Sequence, residues 1–317
     1  METVLVTGGA GFIGSHLIER LLARGDRPVC VDNFDPYYPA EIKRRNIEHI
    51  AADERFALIE CDIRDKEALG RVFHDYELDS IVHLAARAGV RASISDPQLY
   101  QDVNIGGTIN LLELAKEHAI KSFIFGSSSS VYGVSDEVPF RDDGSLSPPI
   151  SPYAASKQAG ELFCHTYHHL YNIPIICLRF FTVYGPRQRP DMAIHKFTRL
   201  IDRGEEIPLY GDGSSQRDYT YISDIIEGTV AALDCKLDFD VINLGNSQTT
   251  ELKRVVSLIE KYLGKQARVR QLPVQPGDVP VTCADISKAK RLLGYRPTVK
   301  IEEGIESFIQ WHSRQGH

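Results

Sequence analysis

Along the first 180 residues, short apolar runs alternate with longer stretches in which apolar positions recur every three or four residues. The runs at 4–6, 29–31, 56–59, 81–84, 123–125 and 175–178 read as strands. The stretches at about 41–51, 66–73, 97–118 and 152–170 read as helices. So does the segment carrying Ile13, Leu17, Ile18, Leu21 and Leu22. Strands this apolar are buried on both faces, which predicts a parallel sheet with helices on each side. The expected fold is α/β, a doubly wound parallel sheet of Rossmann type with a smaller mixed α/β substrate-binding lobe.

Beyond residue 180 the texture changes. Gly and Pro become frequent, as in Gly185-Pro186, Arg189-Pro190, Gly211-Asp212-Gly213 and Pro276-Gly277, and the strands shorten. One strong helix is read there, through Leu252, Val255, Val256, Ile259 and Leu263. The expected division is a nucleotide-binding domain over 1–180 and a substrate lobe over 181–317. A segment near 223–245 is expected to return to the first domain.

Composition narrows the classes. The 317 residues are 43% hydrophobic and 25% charged, as in ordinary globular proteins. The net charge of −7 and the shortness of the densest basic cluster, Lys43-Arg44-Arg45, argue against nucleic acid as a partner. That cluster reads as solvated helix surface. No apolar run approaches the ~20 residues of a membrane span, and the amino terminus does not resemble a secretion signal. Six cysteines at 30, 61, 164, 177, 235 and 283 have neither zinc nor disulfide-framework spacing, so reduced thiols in the cytoplasm are expected.

Directly after the first strand comes Thr7-Gly8-Gly9-Ala10-Gly11-Phe12-Ile13-Gly14, opening into a helix. Such a turn lets backbone approach a pyrophosphate and aims a helix N-terminus at its charge. Asp32 ends the second strand, where a carboxylate accepts the ribose hydroxyls of NAD and repels the 2′-phosphate of NADP. NAD is the expected cofactor, with Arg44 and Arg45 downstream as the features that keep NADP open.

The second constellation is Tyr153-Ala154-Ala155-Ser156-Lys157 after Pro152, which places Tyr153 and Lys157 on one helix face. A phenol titrates near 10, and a neighbouring cation would lower that value enough for general-base work. Some twenty-five residues earlier, Ser127-Ser128-Ser129-Ser130 ends a strand, and the carboxyl ends of parallel strands form the ligand crevice. A serine there can bond the same substrate oxygen that Tyr153 deprotonates.

These motifs carry a family resemblance. With His83-Leu84-Ala85-Ala86, Asn104 before Gly107-Thr108, Ser130-Val131-Tyr132-Gly133 and Arg217-Asp218-Tyr219-Thr220-Tyr221, the chain from residue 3 to about 312 resembles the extended short-chain dehydrogenases/reductases of the nucleotide-sugar epimerase/dehydratase group. The resemblance implies tightly held NAD, a UDP-sugar substrate, transient oxidation at C4′ and a homodimer formed through the helices near 97–118 and 152–170. It also implies that Ser128 and Tyr153 handle the O4′ proton while Lys157 holds the ribose and tunes Tyr153. Gly8, Gly11, Phe12, Ile13, Gly14, Asp32, Asn33, Asp62, Ile63, Leu84, Ala85, Ala86, Asn104 and Phe181 would surround NAD together with Tyr153 and Lys157. Arg217 and Asp278 would lie on the UDP side.

Within the group, 4,6-dehydratases place an Asp-Glu pair after the catalytic hydroxyl, and UDP-glucuronate decarboxylases carry Glu where Ser130 stands. This chain has Ser129-Ser130, so epimerisation is implied. Phe181-Thr182 and Arg189-Pro190-Asp191-Met192-Ala193, with Gln275-Pro276-Gly277-Asp278-Val279, resemble the corresponding stretches of UDP-glucuronate 4-epimerases. Ser129, Ser130 and Thr182 supply hydroxyls for a carboxylate, and Arg187 or Arg189 supplies charge. UDP-glucuronate is the favoured substrate. UDP-glucose or UDP-N-acetylglucosamine 4-epimerisation, UDP-glucuronate decarboxylation and a non-catalytic NAD-binding regulator are the alternatives. Arg91 is expected to face the crevice and touch phosphate. His83 is read as structural, and His165, His168 and His169 as a packed or solvated helix face without a metal.

Overall fold

The protein is described by a computed structural model covering residues 1–135, 137–274 and 279–315. Among the described residues, twelve strands run in chain order. The first six are β1 (Thr3–Thr7), β2 (Arg27–Asp32), β3 (Ala57–Glu60), β4 (Ser80–His83), β5 (Ser122–Ser128) and β6 (Ile175–Phe180). The rest are β7 (Thr182–Tyr184), β8 (Glu206–Tyr210), β9 (Gln216–Tyr221), β10 (Phe239–Leu244), β11 (Thr249–Glu251) and β12 (Arg268–Leu272). Seven of them form one parallel sheet in the order β10-β6-β5-β4-β1-β2-β3, with helices on both faces, as the apolar runs predict. The chain order reverses between β1 and β4, and the crevice opens at the carboxyl ends on either side of that point. Thr7 pairs with Val31 on one side and His83 on the other, which brings the loops after β1, β2 and β4 to one rim.

β4, β5 and β6 are buried at every residue, the mark of strands covered on both faces. β3, at the sheet edge, alternates instead, with Leu58 exposed, because nothing pairs beyond it. One face of the sheet packs on the helices Phe12–Ala23 and Ile222–Asp234, the other on Lys66–Asp75, Gly107–Glu117 and Pro152–Tyr171. β10 follows Ile222–Asp234 and pairs with β6.

The remaining strands form two small sheets, β11-β9-β7 and β12-β8. They share a separate core with the helices Ala193–Asp202, Leu252–Leu263 and Ile301–Arg314. The sequence reading found only the second of these helices and also missed Ser287–Leu293. The stretch read as one helix over 97–118 is divided. Pro97–Tyr100 passes into a wide π turn at Gln101–Gly106 before Gly107–Glu117 resumes the α form. The π turn carries Asn104, and such turns gather at functional sites.

Candidate active site

The crevice is a cleft of about 510 Å³ running from the glycine loop to Thr182 and Arg189. Gly8 adopts φ +69°, and a Cβ there would stand 2.8 Å from the Ala85 backbone nitrogen. A Cβ on Gly14 would lie 2.3 Å from the Gly8 carbonyl oxygen, so the turn closes only with hydrogen at that position. Gly11 is the N-cap of Phe12–Ala23 and supplies no side-chain bond to it, which leaves the first-turn N–H groups directed at the cleft. Across the loop, Asp32 is buried. It accepts from the backbone of Ala10 and Phe34, and its partner Lys43 Nζ lies 3.4 Å away. Lys43 is therefore not solvated helix surface; it is buried and lines the cleft. Asn33 donates to Asp62 at 2.8 Å, joining the ends of β2 and β3 at the same rim. A dinucleotide fits this set: open N–H groups for the pyrophosphate and a strand-end carboxylate for a ribose.

Of the residues expected around NAD, Asn104 alone does not line the cleft. It lies one layer beneath, where its side chain accepts from Arg87 N (2.7 Å) and donates to Arg87 O (3.0 Å) and Ser156 Oγ (2.9 Å). Asn104 thus ties the loop after β4 to the helix carrying Tyr153. His83 is structural. Thr108 Oγ1 donates to Asn104 O, so it accepts from His83 Nε2 at 2.9 Å, while Thr7 Oγ1 bonds Nδ1 at 2.7 Å. That pattern fixes the neutral imidazole with its proton on Nε2.

At the other end of the cleft, Ser151 caps the helix Pro152–Tyr171, and Tyr153 and Lys157 project from its first turns. Lys157 Nζ donates to Gly126 O at 2.6 Å and lies 4.9 Å from the Phe125 ring, and burial pulls its pKa down to about 8. Burial raises the Tyr153 phenol above its ordinary value, opposed by a hydrogen bond with Ser128 and by the charge of Arg189. The cation that lowers Tyr153 is thus Arg189, where sequence reasoning expected Lys157. Ser128 Oγ also donates to Ser130 Oγ at 3.2 Å, so the serine run forms one hydroxyl cluster with Ser129 beside it in the cleft. Below it, Ser127 donates to Glu161, which pairs with Arg179 through bonds of 2.9 and 2.7 Å.

Thr182 and Phe181 line the cleft, and the structure separates the two neighbouring arginines. Arg189 points inward, paired with Asp191 at 2.7 Å. Arg187, at φ +64°, turns to the opposite side of the loop and pairs with Glu19 at 2.5 Å. Arg217 lies outside the cleft, donating to Gln216 O and Pro280 O. Arg91 stacks on Tyr210, 4.3 Å from the ring centroid, which fastens the first domain to β8 and keeps its guanidinium off the cleft wall. Asp278 and the Gln275–Asp278 stretch lie outside the described residues.

Sequence reasoning missed a group facing Arg189. Arg87 pairs with Asp35 and lies 4.7 Å from the Tyr37 ring, whose other cation is Arg189 at 5.4 Å. The Tyr37 hydroxyl donates to Asp191 at 3.4 Å. Asp35-Pro36-Tyr37-Tyr38 and the Arg87 that follows the Leu84-Ala85-Ala86 run were the available signals. Positive charge in the cleft therefore comes from Arg87, Arg189, Lys43 and Lys157, not from Arg187 and Arg217.

A family model described as GDP-mannose 4,6 dehydratase matches residues 5–308. The chain is 43% identical over 312 residues to a UDP-glucuronate 4-epimerase of Thermodesulfobacterium geofontis, covering 98% of this chain and 96% of the relative. It is similar to the crystal structure of a Bacillus cereus UDP-glucuronic acid 4-epimerase in complex with UDP-glucuronic acid and NAD. There the TM-score is 0.93 and the identity 42%, over 99% of each chain. A Thermotoga maritima UDP-glucose 4-epimerase with UDP-glucose is also similar, at 31% identity and a TM-score of 0.91, over 99% of this chain and 100% of that one.

Proposed function

The chain belongs to the GDP-mannose 4,6-dehydratase family of extended short-chain dehydrogenases/reductases, and we propose that within it the protein is an NAD-dependent UDP-glucuronate 4-epimerase. The observation that carries this reading is the reacting end of the cleft. Ser129, Ser130 and Thr182 stand there as hydroxyl donors beside Tyr153 and Ser128, with Arg189 as the cation. No carboxylate follows Ser128, so elimination across C5′ and C6′ lacks its acid–base pair.

NAD, when bound, accepts hydride from C4′ and returns it to the other face of the 4-keto sugar. Tyr153 takes the O4′ proton and gives it back, Ser128 holds the same oxygen, and the Lys157 ammonium keeps the adjoining backbone in place through Gly126. Between the two transfers the keto sugar turns about its diphosphate linkage. A 4-keto uronate is a β-keto acid, and it loses CO₂ when the C5′–carboxylate bond stands perpendicular to the ketone plane. Hydroxyls that hold the carboxylate near that plane suppress the loss, which gives Ser129, Ser130 and Thr182 their role.

The same reading includes a homodimer in the cytoplasm. Leu162 and Leu170, 69% and 58% exposed on the helix Pro152–Tyr171, support the dimer face. Six unpaired cysteines support a reducing compartment. The deciding experiment incubates the purified protein separately with UDP-glucuronate and UDP-glucose. UDP-galacturonate from the first is expected; a UDP-pentose as main product, or epimerisation of UDP-glucose alone, would overturn the assignment.

A further inference from the structure

The loop 186–190 has two charged faces. Arg189 looks into the catalytic cleft, while Arg187 looks the other way, into a second cavity of about 510 Å³. That cavity lies between the helices Ala40–Glu48, Ala193–Asp202 and Ile301–Arg314. Its wall contains three guanidiniums, Arg45, Arg187 and Arg199, and no Asp or Glu among the described residues. Arg187 is shared with Glu19. Arg45 and Arg199 have no carboxylate partner among the described residues, and the buried Nε of Arg199 has no hydrogen-bond acceptor. A buried, unsatisfied guanidinium nitrogen is costly, and Arg199 carries it at the edge of this cavity.

The remaining wall is apolar and aromatic. Trp311 meets the His195 ring edge-on at 5.6 Å, and Pro39, Ile42 and Pro190 close the sides. Three guanidiniums on one cavity wall suit a phosphate, whose oxygens guanidinium binds in bidentate fashion. A flat apolar wall beside them suits a ring, and the volume lies within the range of small-molecule sites. His16, also on this wall, is held neutral at neutral pH because burial and Arg187 pull its pKa down to about 4.

We propose that this cavity is a second ligand site, distinct from the catalytic cleft, that binds a small phosphate-bearing anion through Arg45, Arg187 and Arg199 against Trp311. A bound anion would draw Arg187 from Glu19 and so act on the loop that also holds Arg189. His195 ties that loop to the cavity, since its Nδ1 bonds Gln188 O at 2.5 Å and its backbone N–H donates to Gln188 Oε1.

Trp311 is the only tryptophan of the chain, so its emission reports on this cavity alone. The full-length protein, with NAD at one equivalent and no other phosphate present, is titrated with AMP, inorganic pyrophosphate and adenosine. A saturable change in emission is expected with AMP or pyrophosphate. Response to pyrophosphate alone identifies a bare phosphate as sufficient, and a stronger response to AMP adds the ring. Arg199→Gln and Arg45→Gln should each weaken binding about tenfold, the scale of one lost charge-assisted bond. Arg45 is exposed, so Arg45→Gln carries the test if Arg199→Gln does not fold, and its epimerase rate should match that of the parent. No saturable response at millimolar probe, equal response to adenosine, or unchanged binding in both variants would overturn the proposal. None of these outcomes depends on which sugar nucleotide is turned over.

Discussion

Tyr153 stands between opposed influences, with burial holding its phenol high while Ser128 and Arg189 draw it down. Arg189→Gln removes the cation and keeps the bulk. The acid limb of the pH profile of kcat/KM should then move to higher pH, and the rate at neutral pH should fall roughly tenfold for each unit of phenol shift. An unmoved limb would show that Arg189 does not tune the base. Tyr153→Phe is expected to keep NAD bound and lose turnover; substantial residual epimerisation would remove Tyr153 from the proton path. Thr182→Ala tests the carboxylate restraint. A UDP-pentose by-product should appear beside the epimer, and unchanged affinity without pentose would count against it. Sequence picked out Tyr153 by its spacing of four from Lys157 and Ser128 by its place at a strand end, and the family resemblance added Thr182. It could not choose between Arg187 and Arg189. Their spacing of two is neutral until the left-handed backbone at Arg187 turns the pair to opposite sides of the loop.

At the scale of elements, the glycine turn and the helix behind it act as one unit. Gly14→Ala puts a methyl 2.3 Å from the Gly8 carbonyl, and the backbone contact cannot yield as a flexible side chain would. The variant should purify folded by circular dichroism, melt at a lower temperature and carry little NAD; full NAD occupancy would mean the turn tolerates a Cβ. This turn was legible because strand, glycines and helix are consecutive in sequence. The π turn at Gln101–Gly106 was not, because Asn104 and its partners Arg87 and Ser156 come from separate segments, and only the assembled fold brings them into contact. The same holds for Glu161 and Arg179, buried together beneath Ser127. Glu161→Gln leaves Arg179 without its counter-charge, and breaking a buried pair from one side costs about 3–5 kcal/mol. Chemical denaturation should register that loss, and a difference within error would show the pair to be replaceable.

For the whole molecule, the seven-stranded sheet was readable because its interior strands are apolar throughout, whereas the second lobe was under-read. Ala193–Asp202 and Ile301–Arg314 do carry helical spacing, in Ile194, Phe197 and Ile201 and in Ile305, Phe308 and Ile309. Frequent Gly and Pro around them obscured it. The lobes are joined by side chains distant in sequence, such as Arg91 on Tyr210 and Arg187 on Glu19, so the molecule's stability is a property of both. Two buried histidines contribute to its sensitivity to acid. His83 is fully enclosed by Thr7 and Thr108, and burial pulls its pKa down to about 3; His16 is drawn to about 4. The unfolded chain takes up protons at both near 6.5, while the folded chain refuses them until much lower pH. Their contribution is therefore complete above pH 6.5 and is lost as pH falls from there toward 4 and 3. Each group costs ~1.4 kcal/mol per pH unit across that interval, or about 2 kcal/mol between pH 7 and pH 5. Replacing His83 by Gln keeps a neutral hydrogen-bonding side chain and removes the titration. Urea unfolding at pH 7 and pH 5 should then show the variant losing about 2 kcal/mol less than the parent. Equal losses in the two proteins would mean that His83 takes its proton in the folded state as readily as in the unfolded one.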